Sequence, residues 1–254
     1  RSGTDPALRR RAGLGLDGCR GGWVLALLGA DGRPDFALLP RIEALDALLA
    51  ARPGPAPRGL VDVPIGLPLA GERSVDAAAK ALLGSAAASV FTIPPRPVLD
   101  ALDFPEAQLL ARAAMGKGFS IQAWNILPKI REVDLWLRRR GPGFAPLREA
   151  HPELVFRGLA RLAGTEPPGA AKKTPAGRAQ RLAILGALDV DTGAVTAMRA
   201  GTCTAAPDDV LDALALAAAA RLPDRSLATL PRAPETDPLG LPMEMVIPRA
   251  LLAD

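Results

Sequence analysis

The chain has 254 residues, 49% of them hydrophobic, which fits one large domain or a domain with a substantial insertion and excludes disorder as the main state. Its formal charge of +4 suits a polyanionic partner without requiring one. Two cysteines, Cys19 and Cys203, exclude a disulfide framework or a zinc knuckle and point to a reducing, cytoplasmic setting, and no apolar run approaches the roughly 20 residues that cross a bilayer.

In chain order, residues 1–12 read as an N-terminal tail or a cloning remnant without an apolar signal core. The segment LGLDGCRGGWVLALLGADGRPDFALLP then reads strand, tight turn, strand, turn, strand, punctuated by Gly18, Gly21 and Gly22 and by the hairpin signal Asp31-Gly32. The spacing of Ile42, Leu45, Leu48 and Leu49 predicts a helix. After a Pro-rich break, GLVDVPIGLP is a short apolar strand with Asp62 near its end, stopped at Pro64. A meander, a helix and a fourth strand make an α/β opening. Residues 70–147 read as a largely helical insertion: a helix from Ser74, a fixed loop at SVFTIPPRPVL, and a helix from Ser120 in which Pro128 marks a kink or break. REAHPELVFRGLA supplies a strand and a short helix, and TPAGRAQRLAILGAL a helix capped by Thr174 with Pro175 in its first turn. The last long helix is DDVLDALALAAAA, and residues 231–254 form a C-terminal extension.

That last helix opens with Asp208, Asp209 and Asp212. Acids at a helix start cap free N–H groups and oppose the dipole, which accounts for one or both of the first two. Asp212 lies beyond the first turn, ahead of a stretch with no polar face at 213–220, so its carboxylate needs a partner. Asp209 and Asp212 are three apart and point the same way, with nothing cationic nearby in sequence; a divalent metal and a distant arginine are the partners left open.

Asp17, in GLDGCRGG on a strand expected to be central, is either a turn-forming acid beside glycine or a carboxylate placed where glycines let a phosphate or metal approach. Asp62 presents the same choice between a local turn before Pro64 and a site at a strand's carboxyl end. The sole histidine, His151, reads as a structural group, because no second histidine, cysteine cluster or GxSxG accompanies it. Glu149 and Glu153 flank it as oxygen ligands, a base or ordinary surface charge. Basic residues cluster at Arg138, Arg139 and Arg140, at Lys172 and Lys173, and at Arg178 and Arg181; they are solvated faces or phosphate holders. GKGFS at 116–120 lacks the spacing of a nucleotide-binding P-loop.

GLDGCRGGWVLALL, VDVPIGLP, RSVDAAAKALLG with SVFTIPPRPVL, GFSIQAWNILPKIREVD, EAHPELVF and DDVLDALALAAAA occur in this order. Over about residues 13–222 the set resembles domain-of-unknown-function family 429, a group of predicted nucleases with a ribonuclease H-like fold. DDVLDALALA is also similar to the last helix of RuvC-type Holliday-junction resolvases. The resemblance implies an α/β, ribonuclease H-like mixed sheet, a three-stranded antiparallel meander plus parallel strands, flanked by helices. The domain would span 13–230, with the helical insertion at about 70–147.

The same resemblance implies two Mg²⁺ or Mn²⁺ ions held by Asp17 from the first strand, by Asp209 and Asp212 from the last helix, and by an acid from the fourth strand. Asp62 lies where that acid belongs, although RuvC-type enzymes have glutamate there, and Glu149 competes for the role. Arg20, Lys129, Glu132, Asp134, His151 and Glu153 are expected to hold flanking phosphates or to brace the ligands; Glu132 and Asp134, two apart, cannot share a helix face. The implied activity is metal-dependent hydrolysis of phosphodiester bonds in nucleic acid, with no membrane partner, and with a homodimer expected if both strands of a junction are cut. Two other readings stay open: a non-catalytic nucleic-acid or protein binding module on the same fold, and an actin-like, ATPase-type nucleotide-binding protein using the DGCRGG turn.

Overall fold

A computed structural model describes residues 12–52, 54, 56–140, 147–195 and 205–252. Cys203 and the N-terminal tail lie outside the described residues, apart from Ala12. The chain divides into two units, one made of the described residues of 1–62, 146–228 and 246–254, the other of those of 63–145 and 229–245.

The first unit is built on a five-stranded sheet. The expected meander forms as β1 (Gly13–Cys19), β2 (Gly22–Leu28) and β3 (Pro34–Leu39), each antiparallel to the one before. Gly22, the first residue of β2 after the tight turn, has φ 135°, a conformation that suits glycine. Helix α1 (Ala44–Ala50) follows, with Leu45 buried and Ile42 buried just ahead of it. β4 (Arg58–Asp62) and β5 (Leu147–Glu149) then add parallel strands beside β1. The order β3-β2-β1-β4-β5 puts β1 at the centre, so β1 and β2 are apolar nearly throughout.

Helices α5 (Pro152–Ala163), α6 (Pro175–Gly186) and α7 (Pro207–Ala220) complete this unit. The Thr174 hydroxyl caps α6 by accepting from the Gly177 N–H at 3.0 Å, and Pro175 takes the first turn, where its missing N–H is no loss. In α7 every residue from Val210 to Ala220 is buried, as the absence of a polar face predicts. One apolar cluster joins Val24, Ala26, Leu28 and Leu60 of the sheet to Val155, Phe156, Leu159 and Ala160 of α5, to α6 and to α7.

The second unit carries α2 (Ser74–Leu83), α3 (Phe104–Met115) and α4 (Ile121–Arg138). α3, capped by the Asp103 carboxylate accepting from the Glu106 N–H at 2.9 Å, is a helix that the sequence reading did not name. Of the kink or break expected at Pro128, the break does not occur: α4 runs through it. The buried stripe Ala123, Leu127, Ile130, Val133 and Leu137 spans both sides of the proline, so packing outweighs the one hydrogen bond lost. SVFTIPPRPVL is not entirely loop, since Arg96–Asp100 forms a short 3₁₀ turn. GKGFS ends one helix and starts the next: Gly116 is the left-handed C-cap of α3, and Ser120 accepts from the Ala123 N–H to cap α4. That loop lines a groove of about 470 Å³ that also presents Lys80, Phe91 and Gln108. Beyond α7 the chain forms two further strands, β6 (Leu227–Thr236) and β7 (Pro242–Pro248), paired as a two-stranded sheet.

Among the described residues no helix is long and apolar enough to cross a membrane.

Candidate functional site

The alternation of β1 decides what faces α7. Gly13, Gly15 and Asp17 lie two apart and therefore share one face of the sheet. A Cβ built on Gly13 would stand 2.1 Å from the Ala217 carbonyl oxygen, and one on Gly15 would stand 1.9 Å from that of Ala213. Helix backbone thus lies directly on the strand at both glycines. Two strand residues advance roughly 6.8 Å and four helix residues roughly 6 Å, so the next step along this contact matches Asp17 with the start of α7, where Asp209 and Asp212 reside.

β4 delivers a further carboxylate to the same place. In the parallel pairing of β1 with β4, Asp17 lies in register with Asp62, and residues in register point to the same face. Glu149 does not join them. It pairs in register with Val61, one residue short of Asp62, so alternation turns its side chain to the opposite face, where it is 2% exposed.

The cation is Lys172. Its Nζ donates to Asp212 Oδ2 at 2.5 Å, across forty residues of sequence. The loop that carries it is tied down. The Gly169 and Ala170 N–H groups donate to Gln180 Oε1, Arg181 Nη1 donates to the Ala170 carbonyl, and Thr174 Oγ1 donates to the Ala171 carbonyl. Gly177 lets that loop lie on α6, because a Cβ there would come within 2.1 Å of the Ala171 oxygen. The other oxygen of Asp212, Oδ1, is buried without a hydrogen-bond partner.

Electrostatics follow from this crowding. Burial pushes the Asp17 carboxyl well above the usual carboxylate range, and Asp62, Asp212 and Asp209 push it further, against the Lys172 charge. Asp62 is raised by burial, with His151 and Lys172 pulling it down and Glu153 pushing it up. Asp212 is pushed up to about 7, chiefly by burial, although Lys172 opposes the rise. Asp209 is raised by burial and by Asp208, while the Ala206 N–H, donating to its Oδ2 at 3.3 Å, stabilises its charge. Asp209 therefore also serves the local capping role that a helix start asks for. Burial works against the Lys172 ammonium, but Asp212, Asp62 and Asp17 outweigh it and raise the group above its ordinary value.

Of the residues expected to assist, His151 and Glu153 stand at the start of α5 and act on Asp62 as described. Arg181 Nη2 donates to Glu153 Oε1 at 2.7 Å and lies over the Phe156 ring, which neutralises that acid. Arg20 is exposed in the turn between β1 and β2. Lys129, Glu132 and Asp134 belong to the second unit, where Lys129 pairs with Glu132 at 3.8 Å and Asp134 accepts from Arg96 at 2.8 Å. Arg96 also reaches Asp237, so Asp134 is part of a buried ion network that holds α4.

For Asp212 the sequence leaves a metal or a distant arginine, with no cation nearby in sequence, and it offers Lys172 only as part of a solvated face or as a phosphate holder. Its contact depends on a loop fold that no local pattern encodes. The chemistry of the cluster suits a cation: buried carboxylates repelling one another, one orphaned oxygen, and hard oxygen donors of the kind Mg²⁺ and Mn²⁺ take. Among the described residues, no group of three or more His, Cys, Asp or Glu is gathered closely enough to hold a metal ion as the side chains stand, with Lys172 on Asp212.

A family model described as "Protein of unknown function (DUF429)" matches residues 15–236. The match covers most of the chain, which belongs to that family. No curated protein and no solved structure matches it.

Proposed function

We propose that this member of the DUF429 family is a metal-dependent nuclease of ribonuclease H-like fold, which hydrolyses phosphodiester bonds in nucleic acid. The observation that carries the reading is the convergence of Asp17, Asp62 and Asp212 at one end of the central strands, with Asp212 Oδ1 buried and unpartnered. The order β3-β2-β1-β4-β5, an antiparallel meander followed by strands parallel to β1, supports the ribonuclease H-like assignment. Burying several like charges together costs stability, and a fold that does so has a use for a cation there.

In this reading Asp17, Asp62, Asp209 and Asp212 hold Mg²⁺ or Mn²⁺. When bound, the metal supplies a Lewis acid that makes water a nucleophile at neutral pH and stabilises the leaving 3′ oxygen. Asp17 and Asp62 orient the site from the rigid centre of the sheet, and α7 contributes its pair from the helix start. Asp62 takes the role of the fourth-strand acid in preference to Glu149, because it shares a face with Asp17.

The salt bridge of Lys172 with Asp212 favours a second reading, in which the cluster is neutralised internally and the fold binds nucleic acid without cutting it. The two separate in one experiment. Labelled single-stranded, duplex, hybrid and branched substrates are incubated with wild type and Asp17→Asn in Mn²⁺ or EDTA. Cleavage by wild type in Mn²⁺ alone is the expected result. Equal cleavage by the variant would sink the site; binding in EDTA with no cleavage of any substrate would favour the binding module.

A further inference from the structure

We infer that Lys172 is a built-in cation of the acid cluster, standing where a second divalent ion would, so that the site takes one divalent ion and not two. The inference rests on the metal-dependent reading above and departs from the two ions that the family resemblance implies.

Three observations carry it. Lys172 Nζ lies 2.5 Å from Asp212 Oδ2, a charge-assisted hydrogen bond that occupies one of that carboxylate's two oxygens and leaves Oδ1 for a metal. The ammonium also acts on Asp17, Asp62 and Asp209, so it is shared by all four carboxylates and is not a private partner of one. It is held in place as well, since its loop is anchored on α6 through Gln180, Arg181 and Thr174.

Charge decides the number of ions. One divalent ion and one ammonium nearly balance four carboxylates. A second divalent ion would overshoot them and sit within a few ångströms of the ammonium, where like charges repel in a site that screens them poorly. The Lys172 side chain is 36% exposed while that of Asp212 is 1% exposed, so the ammonium has donors left over toward solvent. It can meet a non-bridging oxygen of a phosphodiester there, a compact point charge doing what the second metal does elsewhere.

The test is a calorimetric titration of Mn²⁺ alone into wild type and Lys172→Met, with Lys172→Arg as the charge-retaining control. Wild type is expected to bind one ion per chain, Lys172→Arg one, and Lys172→Met either a second ion or the same one roughly tenfold more tightly. Two ions per wild-type chain would overturn the inference and leave the nuclease reading standing. So would one ion bound with equal affinity by wild type and Lys172→Met. Binding by Lys172→Met alone would overturn it from the other side, with Lys172 excluding every ion. Absence of Mn²⁺ binding in all three proteins, together with unfolding midpoints identical in EDTA and Mn²⁺, would remove the metal reading and this inference with it. If Lys172→Met does not fold, two ions per wild-type chain would still overturn the inference.

Discussion

Asp17 of β1 lies in register with Asp62 of β4, two carboxylates on adjacent parallel strands facing the same side of the sheet. Burial raises both, and Asp62 raises Asp17 further, so the pair opposes folding whenever it is ionised. Such a pair is a burden on the scaffold, and the proposed metal site would account for it.

Replacing Asp17 with Asn removes one of these charges at constant shape. In EDTA at neutral pH, Asp17→Asn should be more stable than wild type by about 1–3 kcal/mol, read from urea unfolding. In Mn²⁺ the order should reverse or close up, because wild type alone gains from the ion. A variant that is less stable than wild type in EDTA would mean that Asp17 is satisfied by a partner.

The pH dependence follows with a definite sign. The folded-state value of Asp212, about 7, lies above the ordinary 3.8, so the folded protein keeps a proton that the unfolded chain releases. The resulting stability is fully present below about 4 and is lost as pH rises through about 7. In EDTA, the stability of wild type relative to Asp212→Asn should therefore fall by roughly 4 kcal/mol between pH 4 and 8. A difference that is flat, or that grows with pH, would show that Asp212 is ionised throughout.

At about pH 8, where Asp212 is ionised beside Lys172, Lys172→Met leaves its carboxylate buried without its counter-ion. Losing one partner of a buried pair costs about 3–5 kcal/mol, and the partial exposure of Lys172 reduces this to about 2–3 kcal/mol in EDTA. Adding Asp212→Asn should recover most of the loss, because a neutral amide needs no counter-ion. A double mutant as unstable as Lys172→Met would show that the lysine stabilises the loop by packing and not by charge.

Gly15→Ala should destabilise by about 3 kcal/mol or more, since its Cβ would stand 1.9 Å from the Ala213 oxygen and 2.5 Å from the Ala217 nitrogen, both rigid backbone. Relief requires α7 to move off β1, which also carries Asp212 away from Asp17. Loss of Mn²⁺ binding should therefore accompany the drop in unfolding midpoint. An unchanged midpoint would mean that the helix and strand are not in this close contact.

Much of this was legible in the sequence because it is local. The meander, the Thr174 cap, the fully covered helix after Pro207 and the placement of Asp62 at a strand end each follow from a short-range pattern of period two or 3.6, or from a capping rule. Even the close approach of α7 to β1 left a trace in GLGLD, where glycines alternate on the face that ends in Asp17. What local pattern could not hold was partnership. Pro128 reads as a kink or break, and the break is excluded only once the apolar stripe on both sides of it is seen to be buried in one helix. Glu149 and Asp62 are equivalent candidates until the register of β5 against β4 sends one to each face. Lys172 is one more surface charge until the loop before α6 folds it onto Asp212, forty residues away. Periodicity fixes which residues can point inward, but which charges meet there depends on strand register and loop path, and those are set only when the whole core packs.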